Sequence, residues 1–289
     1  MRFAAIEDSQ INLTSVNMAT GEADTSVDLK HSKDGVTWTQ YDFNPIPLAA
    51  GETLYLKGNN ENGLSNGVRF CSFGDGTNMG IPNTPSTGKF ECHGNIMSLL
   101  YGDDFEDKTT IPSVGCFYSL FSGCSSLTTA PELPATTLAD RCYYFMFANC
   151  TSLTTAPELP ATTLSERCYA QMFNSCTSLT TAPELPATTL VKACYTLMFS
   201  SCTSLTTAPV LPATILVEQC YDQMFYHSTN LNHITMLATD ISAKYCLSGW
   251  VDGVSSTGTF VKHPDMDSLP TGVSGIPNGW TVIDCDFKN

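Results

Sequence analysis

Two rows of polar side chains recur every 26 residues in the middle of this 289-residue chain, and both could take part in binding. The rows are the hydroxyls of Thr128, Thr154, Thr180 and Thr206, and the carboxylates of Glu132, Glu158 and Glu184. Carboxylates stacked about 5 Å apart on adjacent strands would repel by roughly 1 kcal/mol per pair in water, so they must be solvated or share a cation. A row of threonines suits an extended polar ligand such as a glycan, although plain β-propensity also accounts for it.

No residue pattern in the chain marks a catalytic centre. The five histidines do not recur with the repeat, and the sequence has no G-x-S-x-G, H-E-x-x-H, phosphate-binding or dinucleotide-binding motif. We therefore predict a protein that is not an enzyme, with no catalytic residues and no cofactor.

One acidic run could hold a calcium ion, because hard cations are bound by clustered carboxylates. It consists of Asp103, Asp104, Glu106 and Asp107. Its spacing differs from that of an EF-hand loop, and we interpret it as a solvated linker or a helix cap. No metal site is predicted.

The polar rows belong to an internal repeat. Residues 142–163 have the sequence CYYFMFANCTSLTTAPELPATT, and residues 168–189 have the sequence CYAQMFNSCTSLTTAPELPATT. The first cysteine of each unit lies at Cys116, Cys142, Cys168, Cys194, Cys220 and Cys246. A fixed period between 20 and 50 residues is typical of solenoids and propellers, in which each unit becomes stable only by stacking on its neighbours.

Each unit combines an apolar stripe with a short β-prone segment. The stripe in one unit consists of Leu138, Cys142, Tyr143, Met146, Phe147 and Cys150. Its i, i+4, i+5, i+8 spacing predicts a helical turn with one buried face. Residues 152–156 predict a strand that ends at Pro157. Stacked units would then form a parallel sheet on one side and a row of helical turns on the other.

The run M-F-x-x-C-x-S-L-T-x-A-P-x-L-P resembles the BspA-like leucine-rich repeats of bacterial surface proteins, especially those of gut Bacteroidetes. Phe147, Cys150, Leu153 and Ala156 occupy the family's positions, with alanine where the family often has isoleucine. The resemblance implies a leucine-rich-repeat solenoid and an adhesive or host-interacting role, in a bacterial surface protein or in a phage or prophage protein with the same repeats. It implies no catalytic residues.

The segments on either side of the repeats have a different sequence pattern. Residues 1–100 alternate apolar and polar positions between turn signals, which predicts an all-β, sandwich-like module. Residues 101–251 would form the solenoid, and residues 252–289 a C-terminal cap with strands near 258–262 and 280–285. The predicted fold class is therefore α+β.

The amino-acid composition limits the kinds of partner that the protein could bind and its possible location. A net charge of −15 argues against nucleic acids and anionic membrane surfaces, both of which select basic patches. The sequence contains no run of 18 apolar residues, so we predict no insertion into a membrane. No signal peptide is visible at the start of the sequence. We expect a protein at a cell surface, in the extracellular space or in a virion.

The thirteen cysteines suggest buried thiols more than disulfides or zinc, because those of the repeats occupy apolar positions and form no C-x-x-C pair. We predict that the repeat cysteines are reduced. Cys71 and Cys92 could pair within the N-terminal module.

Together these features predict a non-enzymatic adhesin or receptor-binding protein that recognises a cell-surface protein or glycan. The threonine and glutamate rows are the candidate binding residues on the sheet side. Tyr144 and Phe145 are the candidates on the opposite, variable side, because aromatic residues often anchor interfaces. Two alternatives stay open: a glycan-active enzyme or accessory module, which would need paired carboxylates in a cleft, and a structural spacer.

Overall fold

A computed structural model describes residues 1–15, 24, 26–64, 67–70, 86–267 and 269–286 of the chain. Its strands are β1 (Arg2–Ala5), β2 (Ser9–Ile11), β3 (Thr14–Ser15), β4 (Leu29–Ser32), β5 (Thr39–Gln40), β6 (Ile46–Leu48), β7 (Thr53–Gly58), β8 (Val68–Arg69), β9 (Phe90–His93), β10 (Leu127–Thr129), β11 (His233–Met236), β12 (Thr259–Lys262) and β13 (Thr281–Asp284). One short helix, α1 (Ser98–Tyr101), lies between β9 and β10.

The N-terminal residues and the first repeat share one six-stranded sheet, with strand order β10-β9-β1-β7-β4-β5. Strand β7 alternates in burial, so that Leu54 and Leu56 point into the core beside Phe3 of β1. Two short pairs, β2–β6 and β3–β8, complete the described part of this region. The sheet crosses the predicted boundary at residue 100, because β10 belongs to the first repeat and pairs in parallel with β9.

The predicted α+β fold, with a leucine-rich-repeat solenoid of helical turns, is wrong. The only helix in the described residues is α1, and the segments expected to be helical are series of β-turns. Alternate backbone N–H groups have different partners. That of Tyr144 donates to the carbonyl of Arg141 within the turn, at 3.2 Å, whereas that of Tyr143 donates to Cys168 of the next repeat, at 3.0 Å. An α-helix would direct both to the residue four positions earlier.

Residues with a positive φ at every fourth position keep these segments from becoming helical. They are Gly115, Ser119, Gly123, Arg141, Phe145, Asn149, Arg167, Gln171, Ser175, Ala193, Leu197, Ser201, Gln219, Gln223, His227, Tyr245, Gly249 and Gly253. Each turn whose third residue has a positive φ redirects the chain, and a right-handed helix cannot continue through it. The apolar stripe therefore follows a four-residue turn period and not the 3.6-residue period of a helix.

The predicted parallel sheet along the repeats is also wrong in the described residues. Of the repeated S-L-T-T segments, the one in the first repeat forms β10, whereas β11 of the fifth repeat begins at His233, the position equivalent to Thr129, and continues to Met236. Between them lie single parallel bridges, such as those joining Thr155 to Thr181 and Thr207 to His233. The prolines that follow each segment have no N–H to donate, which keeps these contacts short.

The repeats nevertheless stack in register around a shared core. Leu127, Leu153, Leu179 and Leu205 are all fully buried. Phe147 stacks on Phe173 with ring centroids 5.7 Å apart and planes at 6°. Buried apolar side chains run without interruption from Phe3 of the N-terminal sheet to Trp280, so one core spans both regions.

The far end of the stack is closed by a three-stranded parallel sheet of β11, β12 and β13. The two C-terminal strands that the sequence predicts are confirmed. Trp250 is fully buried here, and its indole N–H donates to the carbonyl of Gly275 at 2.9 Å.

Nine of the ten repeat cysteines are free and buried, in line with the prediction, but Cys124 is disulfide-bonded. Cys71 lies outside the described residues. Cys92 is free, so the suggested pairing of Cys71 with Cys92 is wrong. Burial raises the pKa of these nine repeat thiols, to about 12 for Cys176. A thiol that stays protonated is a poor nucleophile, and these cysteines act as small core side chains.

Candidate binding groove

The threonine row lies on the surface but takes part in holding the stack together. Thr154, Thr180 and Thr206 are exposed, and Thr128 is partly buried beside β9. The hydroxyl of Thr180 donates to the carbonyl of Thr154 at 3.1 Å, one repeat back. Thr155, the neighbour of Thr154, is exposed as well, because the segment is not pleated into a sheet that would send alternate side chains inward.

The glutamate row is exposed throughout. Glu132 is tied to the N-terminal region, since its carbonyl accepts the N–H of Ile96 at 3.1 Å. Glu158 and Glu184 belong to the repeated P-E-L-P segments, in which the leucine is buried and the glutamate points to solvent. Neither has an ion-pair partner within the described residues.

A groove runs past these P-E-L-P segments across three repeats. Its first concavity has a volume of 540 Å³ and is lined by Ala156, Glu158, Leu159, Pro160, Thr181, Ala182, Pro183, Glu184 and Pro186. Its second has a volume of 360 Å³ and is lined by Ala182, Pro183, Glu184, Leu185, Pro186, Pro209, Val210 and Pro212. The shared residues make the two concavities continuous, and we call the whole the proline–glutamate groove.

The proline–glutamate groove has an acidic end and an apolar end. Glu158 and Glu184 supply its only charged side chains, and Thr181 its only hydroxyl. In the fourth repeat Val210 replaces glutamate and remains 52% exposed between Pro209 and Pro212. Proline carries no N–H, so much of the wall is apolar and offers no backbone donor.

The structure does not place Tyr144 and Phe145 in the groove. They lie on the turn side and pack against each other with ring centroids 4.6 Å apart. Tyr118 stacks on Tyr144 at 5.2 Å, and the Tyr144 hydroxyl accepts a hydrogen bond from Gln171 Nε2 at 2.9 Å. This half-buried cluster buttresses the first repeats, so the predicted site residues belong to two separate surfaces.

The groove contains residues that the sequence-based prediction missed. Pro183, Pro186 and Val210 form much of its wall, but in the sequence the prolines only indicated where strands end. The available signal was the repeated P-E-L-P tetrapeptide, together with its change to P-V-L-P at 209–212.

The acidic run at 103–107 does not form a group of metal-binding side chains. Asp103 forms an ion pair with Lys57 of β7, at 2.6 Å, which ties this segment to the N-terminal sheet. Across the described ranges, no group of three or more histidine, cysteine or acidic side chains is arranged to hold a metal. The same ranges contain no helix long and apolar enough to span a bilayer.

Comparison of the chain with protein-family models, curated proteins and solved structures finds no match.

Proposed function

We propose that this protein is a non-enzymatic adhesin or receptor-binding protein, and that it holds an extended segment of a cell-surface protein or glycan in the proline–glutamate groove. The observation that carries the proposal is the groove's continuity across three repeats. Two concavities share Ala182, Pro183, Glu184 and Pro186, so a linear ligand can contact several repeats at once. Extended surfaces of this kind are the usual binding sites of repeat proteins.

The stacking of the repeats supports a preformed site. The backbone on the turn side is cross-linked from repeat to repeat, as where Phe147 N–H donates to Met172 at 2.9 Å. Below the groove, Leu159 and Leu185 are buried in the core. A rigid wall loses little conformational entropy when a ligand binds, which favours affinity.

The arrangement of the carboxylates favours binding over hydrolysis. Glu158 and Glu184 line the same concavity, but they come from equivalent positions of successive repeats and therefore lie side by side on one wall. Glycoside hydrolases need two carboxyl groups that flank the scissile bond. Two parallel carboxylates on one wall suit the recognition of donor groups instead.

The proposal can be tested with the full-length chain and a steric block. Ala182 lines both concavities, so Ala182→Trp should fill the groove. Thr188→Trp adds the same bulk at an exposed position outside it. We expect Ala182→Trp to abolish, and Thr188→Trp to preserve, binding of the fluorescent chain to a panel of bacterial and epithelial cells and to a glycan array. Equal binding by both variants would contradict the proposal and favour a spacer role for the repeats.

A further inference from the structure

We propose that the proline–glutamate groove binds an extended peptide segment with arginine or lysine side chains at the acidic end and an apolar side chain at the apolar end. The inference rests on the proposed function and names the chemistry of its ligand. It follows from three features: the glutamates, which have no ion-pair partner in the described part of the chain, the change from Glu184 to Val210 along the groove, and the proline-lined wall.

The acidic end calls for a cation. Glu158 and Glu184 occupy the same position of successive repeats and line the same concavity, so this end of the groove carries two like charges. The neighbouring groove residues supply no positive side chain. A guanidinium placed between the carboxylates removes their repulsion, and its planar fork can donate to both. The protein's net charge of −15 adds a long-range attraction for a basic segment.

The apolar end calls for a hydrophobic side chain. Val210 is half exposed and is flanked by Pro209 and Pro212. Pro183 and Pro186 of the preceding repeat line the same concavity. Burying an aliphatic side chain against this surface removes apolar area from water on both partners. A polar group placed here would lose its water without gaining a donor from the proline backbone.

The same chemistry favours a peptide over a neutral glycan. A neutral glycan has no cationic group, so it would leave the charges of Glu158 and Glu184 uncompensated, and it would place some of its hydroxyls against Val210 and its prolines. An extended peptide can alternate its side chains and can carry a basic residue in one place and an apolar residue in the next.

The test is fluorescence anisotropy of the full-length protein with labelled peptides. The probes are Ser-Arg-Ser-Arg-Ser-Leu-Ser, its reversed sequence, versions with glutamine for arginine or serine for leucine, and Ser-Arg-Ser-Arg-Ser-Arg-Ser. The protein variants are the double change Glu158→Gln with Glu184→Gln and the single change Val210→Glu. The double change Glu106→Gln with Asp107→Asn is the charge-matched control, at exposed positions outside the groove. Thermal unfolding of each variant confirms that it is folded.

We expect one of the two arginine–leucine peptides to bind, and the double glutamine variant to lose about tenfold or more in affinity, whereas the charge-matched control stays within about twofold of the parent. Val210→Glu should weaken binding of the leucine peptide and strengthen binding of Ser-Arg-Ser-Arg-Ser-Arg-Ser. Raising the salt concentration should weaken the binding of every arginine peptide.

Two outcomes would overturn the inference: no binding of any arginine peptide, or equal binding by the parent and the double glutamine variant. A separate arm with cellohexaose and chitohexaose distinguishes failure of the ligand class from failure of the site. If an oligosaccharide binds and Ala182→Trp abolishes it while the peptides do not bind, the groove is a binding site but its ligand is a glycan. If Ala182→Trp leaves cell binding intact, the proposed function itself fails.

Discussion

The hydroxyl of Ser228 donates a hydrogen bond of 2.6 Å to the backbone carbonyl oxygen of Phe199. The thiols of Cys150, Cys176 and Cys202 make the equivalent bond in the preceding repeats, each at 3.1 Å to the phenylalanine carbonyl 29 residues earlier. The serine that interrupts the cysteine pattern therefore preserves its donor. In these repeats the position requires a small side chain that can satisfy a buried carbonyl.

This relationship predicts that Ser228→Ala destabilises the stack. The change removes the hydroxyl that donates to the Phe199 carbonyl and accepts from the Cys202 N–H at 3.1 Å, and it leaves these two backbone groups only their longer bond to each other, at 3.3 Å. The loss of a buried hydrogen bond costs about 0.5–1.5 kcal/mol. Urea denaturation should show the loss in the free energy of unfolding. Ser228→Cys is the matched control and should retain more of the stability, because it keeps a donor. Equal losses for both variants would contradict the interpretation.

The turn architecture predicts opposite effects of two substitutions at Arg141. This exposed residue has a φ of 54°, a conformation that glycine adopts freely and β-branched residues disfavour. We expect Arg141→Gly to leave stability unchanged or raise it slightly, and Arg141→Val to lower it by about 1–2 kcal/mol. In a helix the order would be reversed, with glycine the more destabilising. Thr188→Val, at an exposed residue without a positive φ, is the control in the same denaturation assay.

The buried thiols predict a loss of stability at alkaline pH. Burial raises the pKa of Cys176 from 9.0 to about 12, and that of Cys116 to about 12 as well. A raised folded-state pKa contributes stability that is complete below pH 9 and is lost as the pH rises toward 12, because the unfolded chain releases these protons first. Each such thiol should lower the free energy of unfolding by about 1.4 kcal/mol per pH unit in this window. Urea unfolding between pH 8 and 11 measures the slope, and Cys176→Ser should reduce it.

The same burial predicts slow thiol chemistry in the folded protein. With a disulfide-forming reagent at pH 8, Cys285 should react first, because it is only partly buried and the other free cysteines are buried. Unfolding in urea should make the buried cysteines reactive as well. Rapid modification of Cys176 in the folded state, found by mass mapping, would contradict the packing described here.

The aromatic cluster on the turn side predicts a separation of stability from binding. Tyr144→Ala removes the stacking with Tyr118 and the hydrogen bond from Gln171. It should lower the thermal unfolding midpoint, because an aromatic pair contributes about 0.5–1.5 kcal/mol to packing. The binding of cells or peptides should stay within about twofold of the parent, because Tyr144 lies outside the groove. A large loss of binding in a folded Tyr144→Ala protein would place the interface on the turn side instead.

The sequence alone determined that the units stack and which side chains fill the core. The 26-residue identity obliges equivalent residues to occupy equivalent places, and Leu153 and Phe147 are buried as their pattern predicts. It also located the polar rows, because residues between apolar positions of a stacked unit must face solvent. The same pattern could not separate a helix from a series of β-turns. Leu138, Cys142, Met146 and Cys150 recur at every fourth position, and both structures bury such a stripe over this short length.

Only the tertiary structure decided how the backbone pairs and where a ligand could fit. The N–H groups that a helix would use locally reach the next repeat, as from Tyr143 to Cys168, and this choice depends on having that repeat in place. Strand β10 pairs with β9 through contacts between distant parts of the chain. The proline–glutamate groove belongs to no single repeat. It exists because Glu158, Glu184 and Val210, each 26 residues apart, are brought side by side by stacking.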